Sequence, residues 1–116
     1  MLLRASGVTH NRAYDLSAVT GATPGDAGVP YGRLLVEFAE AVLGDDEEVL
    51  DHARAALSAA IGPAGLVDAG AVVGLFNAID RVADATGIPL EAEKREASAD
   101  FRAALGVDRF DVGARD

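Results

Sequence analysis

Apolar positions from Tyr31 onward recur at intervals of three and four. Leu34, Leu35, Phe38, Ala41 and Val42 share one face, with Glu37 and Glu40 between them, which predicts an amphipathic helix that Gly44 stops in the left-handed conformation. Asp45 is expected to open the next helix. Its carboxylate can accept an N–H of the first turn while Glu48, three residues on, reaches back as in a capping box. Val49, Ala53, Ala56, Leu57 and Ala60 then form a stripe widened by Leu50 and Ile61, opposite Glu47, Asp51, Arg54 and Ser58. Gly62-Pro63 ends that helix and starts another.

The helix predicted from Ala64 to Thr86 should run about 34 Å, close to the diameter of a compact domain of this size. It is apolar nearly all round between Ala69 and Ile79, so it is expected to be the most buried element. Gly70 and Gly74 lie four apart, where missing side chains would let another helix approach. On that basis Gly74→Leu should be among the worst substitutions, costing about 1–3 kcal/mol through overpacking. Gly87 and Pro89 end the helix. A last helix runs from Ser98, or from as early as Glu91, to Leu105, with Phe101 and Leu105 as anchors and Gly106 as stop; the tail after Phe110 is expected to fray.

Earlier signals are weaker. Asn11 to Val19 reads as a short helix capped by Thr9 or Asn11, with Tyr14 and Ala18 at helical spacing. Thr20 to Pro30 holds three glycines and two prolines and reads as a loop. Alanine fills about a fifth of the chain, which favours helix over strand. No stretch alternates apolar and polar residues convincingly. The expected fold is therefore all-α: one compact domain over residues 1–116, with an irregular segment over 1–30, a helical core over 31–110, and a long buried central helix.

Charge and composition narrow the function. The 116 residues carry a net charge of −9, no cysteine and no tryptophan. Ten Lys and Arg against nineteen Asp and Glu argue against nucleic acid and against anionic membrane surfaces. Without cysteine there is no thiolate nucleophile, Cys-zinc site or redox dithiol. Met1 to Gly7 lacks the apolar core of a signal peptide, and the apolar run to Ile79 stops at Asp80, short of the roughly 20 residues a membrane span needs. These features predict a soluble cytoplasmic protein with no cofactor and no metal.

Few residues can carry chemistry. His10 lies in the unpatterned start and reads as surface. His52 sits on the border between the apolar stripe and the charged face of its helix, one turn after Glu48. A carboxylate at i and an imidazole at i+4 can share a hydrogen bond that orients the ring and raises its basicity. The plainer alternative is a helix cap beside a boundary histidine. Asn77, Arg81 and Asp84 form a second cluster; Arg81 either pairs with Asp84 or Asp80, or lines a pocket with Asn77 and holds an anionic or carbonyl group. The run Asp45 to Glu48 reads as a helix start rather than a metal site.

The stretch from about Leu34 to Leu90 resembles the helical alkylhydroperoxidase D-like and carboxymuconolactone decarboxylase-like superfamily. The likeness is carried by Val49-Leu50-Asp51-His52-Ala53-Arg54-Ala55-Ala56-Leu57 followed by a Gly-Pro break. More specific is Phe76-Asn77-Ala78-Ile79-Asp80-Arg81-Val82-Ala83-Asp84-Ala85-Thr86-Gly87-Ile88-Pro89-Leu90, which is similar to the end of the family's long helix. The peroxidase branch uses a Cys-x-x-Cys-x-x-x-His motif. Here His52 matches the histidine, whereas the cysteine positions fall on Asp45 and Glu48, which can form neither a sulfenic acid nor a disulfide. A helix start that stabilises a thiolate also stabilises a carboxylate, so the exchange suits the fold. The family's upstream acid falls near Arg33.

The resemblance implies a helical fold from which the thiol peroxidase mechanism has been lost. One expectation is a cofactor-free acid/base enzyme on a small anionic substrate, with His52 and Glu48 catalytic and Arg81 and Asn77 binding. The alternatives are a non-catalytic oligomeric scaffold and a small-molecule binding protein. A homo-oligomer, dimer or higher, is expected, because alanine-rich stripes remove little apolar area from water and leave the long helix short of cover; a second copy packed across Gly70 and Gly74 in an isologous two-fold contact would supply it.

Overall fold

The computed structural model describes residues 7–20 and 25–110. Among these residues every regular element is helical: residues 7–10, then α1 (Gly32–Leu43), α2 (Glu47–Thr86), α3 (Ala92–Ala97) and α4 (Ala99–Leu105), with 3-10 helices at Leu16–Thr20 and Val107–Phe110. The all-α expectation holds. The tail beyond Phe110 lies outside the described residues.

α1 forms where the apolar spacing predicts it. Its first turn is held by a distant cap: Asp26 Oδ1 accepts the backbone N–H of Arg33 at 2.9 Å, while Tyr31 enters the helix with a left-handed φ of 59°. Gly32 permits this closeness, since a Cβ there would lie 2.1 Å from the Asp26 carbonyl oxygen. Gly44 ends α1 in an extended conformation (φ −85°, ψ −176°), not the expected left-handed one; its N–H still reaches the carbonyls of Glu40 and Ala41. An extended exit leads directly into the next helix.

α2 is two helical arms joined at Gly62, whose φ of 78° and ψ of 170° break the helical path. Only glycine adopts that conformation without strain, and Pro63 starts the second arm where its missing N–H costs nothing. The first arm starts one residue later than predicted. Asp46, not Asp45, is the N-cap, and Glu48 stands at N2, so no capping box forms. Gly87 terminates the second arm at φ 64° as expected.

The core is the crossing of α1 with the first arm. Phe38, Ala41, Ala53 and Leu57 are buried, flanked by Leu34, Leu35, Val42, Leu50, Ile61, Leu66 and Ala69. Most of both predicted stripes faces it; Ala56 and Ala60 stay half-buried outside the cluster, and Val49 lies more than half exposed. Leu66 and Ala69 tie the second arm to this core, and no later residue of α2 belongs to it.

The expectation that the helix from Ala64 to Thr86 is the most buried element is overturned. Val67, Val72, Leu75, Phe76, Ile79 and Val82 are all more than half exposed. The cause is a lack of covering elements. α3 packs on α4, and α4 packs on the Leu16–Thr20 and Val107–Phe110 helices, leaving α1 as the principal neighbour of α2. The Cα radius of gyration is accordingly 15.8 Å, against about 13 Å for a compact chain of this length. Nor is there a tight crossing at the glycines: a Cβ on Gly70 or Gly74 would meet nothing within 4 Å.

The predicted Asn11–Val19 helix is shorter and begins later. Asn11 takes a left-handed φ of 51°, and Asp15 then caps the 3-10 helix by accepting the Ser17 N–H at 3.0 Å and its hydroxyl at 2.6 Å. The C-terminal helical segment does start after Glu91 but divides at Ser98. That buried hydroxyl donates to the Lys94 carbonyl at 2.6 Å and accepts from Arg102 Nε at 3.0 Å. Such back-bonding bends a helix.

Candidate functional site

The turn from α1 into α2 is only three residues, 44–46, so the end of α1 and the start of α2 stand side by side with a cleft between them. Its volume is about 540 Å3, within the range of small-molecule sites. Ala41, Val49, Ala53 and Ala56 form its apolar part, and small side chains at three of these four positions are what leave the space. Carboxylates surround it: Glu37 and Glu40 from α1, Asp45 and Asp46 from the turn, and Glu48 from α2.

The structure brings His52 and Glu48 to this one cleft. Both side chains are exposed. Among the described residues no hydrogen bond joins the imidazole to the carboxylate, and neither side chain has an ion-pair partner. Asp46 is committed to the helix start, its Oδ1 accepting the N–H groups of Glu48 at 3.0 Å and Val49 at 3.1 Å. Glu37 is neutralised by Arg33 at 2.5 Å. Glu40, Asp45 and Glu48 are left as acceptors facing the cleft, with His52 as the one lining side chain able to donate. No three of the described acids and histidines are placed to hold a metal ion together.

Asn77 and Arg81 do not line the cleft. They lie past the Gly62 break, about 23 and 28 Å along the second arm from it at the ordinary helical rise. Asn77 is half-buried and Arg81 exposed. Among the described residues Arg81 makes no ion pair with Asp80 or Asp84, so the expected structural pairing is not formed.

Glu40 and Val49 were not singled out from the sequence. The signal was present: two helices joined by a three-residue turn must be antiparallel neighbours, and Glu40 and His52 then approach from opposite sides of the seam. The departure of Val49 from its buried stripe follows from the same cleft.

Electrostatically the cleft is one-signed. Apart from the Arg33–Glu37 pair, nothing in its lining offsets the carboxylates. An anion would be repelled there, and a cation would find acceptors above an apolar floor.

No family model matches this chain, and neither a curated protein nor a solved structure matches it. The likeness to the alkylhydroperoxidase D-like superfamily is therefore one of residue pattern alone.

Proposed function

We propose that this protein is a small-molecule binding module of the alkylhydroperoxidase D-like kind, without thiol chemistry, whose cleft receives a small organic cation. The observation that carries the reading is the lining of the cleft between α1 and α2. The three positions that correspond to the family's Cys-x-x-Cys-x-x-x-His motif, Asp45, Glu48 and His52, all border it. Carboxylates stand where that motif has thiols, which suits charge recognition and not redox chemistry. Glu40, Asp45 and Glu48 accept hydrogen bonds from an ammonium group, and Val49, Ala53 and Ala56 cover its carbon skeleton. His52 orients a polar substituent.

An acid/base enzyme acting on an anion has less support. It needs Glu48 to orient His52 and a cation to hold the substrate, and the second requirement falls to Arg81 and Asn77, which lie outside the cleft.

Titration with an alkyl diamine, followed by the NMR shifts of the His52 ring, tests the reading. Saturable shifts that weaken as salt rises, and that decrease with Glu48→Gln and Glu40→Gln, are expected. An aromatic carboxylate that binds in place of the diamine, or a diamine affinity indifferent to Glu48→Gln and Glu40→Gln, would overturn it.

A further inference from the structure

The second arm of α2 has one partly covered face and one open face. Leu66, Ala69, Gly70, Val73 and Asn77 are half-buried and lie on one side. On the opposite side Val72, Leu75, Ile79 and Val82 follow one another at four, three, four and three residues from Asp68, and each is more than half exposed. That alternation is the spacing of a helix–helix seam, with β-branched Val72, Ile79 and Val82 around Leu75. Asp80, Arg81 and Asp84 all fall outside the seam.

We propose that this open face is the interface for a second copy of the same chain, packed antiparallel along the Val72–Val82 seam. A large side chain more than half exposed leaves about 100 Å2, so these four, with Phe76 and the flanking alanines, offer on the order of 600 Å2 per copy. Two copies bury about 1,200 Å2, where standard specific interfaces begin. Charge sets the orientation. In a parallel pair Asp68 would face its own copy, whereas an antiparallel pair in register sets Val72 against Val82, Leu75 against Ile79, and Asp68 beside Thr86 at the interface edge.

A bilayer is the competing occupant. α2 contains an 18-residue window with a mean hydropathy of 1.7, none of it buried, which by length and composition is enough for a span. Continuous apolar helix is shorter than that. Between Asp68 and Asp80 lie 11 residues, about 16 Å of helix against a hydrocarbon core of about 30 Å. Extending the span backwards would bury the Asp68 carboxylate and the broken backbone at Gly62 in lipid. A seam half a membrane thick suits a protein partner.

Sedimentation equilibrium of the full chain tests this, with the double variant Leu75→Glu/Ile79→Glu and, off the seam, Arg81→Glu. The wild-type chain and Arg81→Glu should give twice the 11.9 kDa monomer mass at micromolar concentration. The seam variant should dissociate on the order of 100-fold more readily, with its helical dichroism intact because both positions are exposed in the single chain. Leu75→Ser/Ile79→Ser should behave likewise and guards against an effect of added charge alone. A monomeric wild type, a dimer indifferent to both seam variants, or a monomer that floats with phosphatidylcholine vesicles would each overturn the proposal.

Discussion

Asp46 Oδ1 accepts the backbone N–H of Val49 at 3.1 Å, and this bond decides where the helix carrying Glu48 and His52 begins. The same oxygen takes the Glu48 N–H, so one side chain satisfies two of the unpaired donors at the helix start. Asp46→Ala should therefore cost about 1 kcal/mol of stability, the usual worth of a cap, while Asp45→Ala should change it by no more than about half as much. Urea denaturation midpoints of the two variants, measured at one pH, separate them. Equal losses would mean that the cap is shared.

Local chemistry was legible where it depends on neighbouring residues. The break at Gly62-Pro63, the stop at Gly87 and the stripes of α1 and the first arm follow from glycine conformation and apolar spacing, and the structure has them there. The one-residue shift from Asp45 to Asp46 was not legible, because adjacent aspartates offer the same side chain. The open face of the second arm was missed for a different reason. Spacing says which residues are apolar and how they line up, but not whether another element arrives to cover them. Residues 92–105 were available to do so; instead 99–105 pack with the N-terminal 3-10 helix and 92–97 pack on 99–105. The candidate site divided on the same principle: Glu48 and His52, four apart on one helix, were placed together by periodicity. Whether Arg81 reached them depended on the path after Gly62.

Among the described residues Leu57 is the one large side chain with no exposed surface, at the centre of the α1–α2 crossing. Leu57→Ala should cost about 2–5 kcal/mol, transfer and cavity terms together. That is a large share of the stability of a small domain whose core, among the described residues, is Phe38, Ala41, Ala53 and Leu57. Leu75→Ala, on the open face, should stay within about 0.5 kcal/mol when measured at dilution where any assembly is dissociated. Thermal melts of both variants followed by helical dichroism test the contrast. Comparable losses from the two would mean that Leu75 is covered within the single chain.

Asp15 links the N-terminal segment to pH. The Ser17 hydroxyl and then the Ser17 N–H donate to its carboxylate, and together they hold its pKa below the ordinary aspartate value. A depressed carboxyl pKa stabilises the folded segment above the unfolded value. That contribution is lost as pH falls from about 4 through the lowered folded value. The 13C titration of the Asp15 carboxyl should show a midpoint below the ordinary aspartate range, and Ser17→Ala should move it upward. An unchanged midpoint in Ser17→Ala would assign the depression to the backbone N–H alone.

Gly70 and Gly74 offer the sharpest separation between the two faces of the second arm. A glycine in a helix interior is about 0.8–1 kcal/mol less favourable than alanine, unless its missing Cβ makes room for something. Here a Cβ at either position would meet nothing within 4 Å, and both glycines lie on the side away from Leu75 and Ile79. Gly74→Ala should therefore stabilise the protein by about 1 kcal/mol, which for a chain of this size raises the thermal midpoint by about 4 °C. Even Gly74→Leu should fold with near wild-type stability, in place of the 1–3 kcal/mol loss expected for a tight crossing. The assembled mass should be unchanged in both variants, since the seam lies opposite. If instead both variants lose stability and dissociate, the contact runs through the glycines, and the Val72–Val82 face is left for another partner.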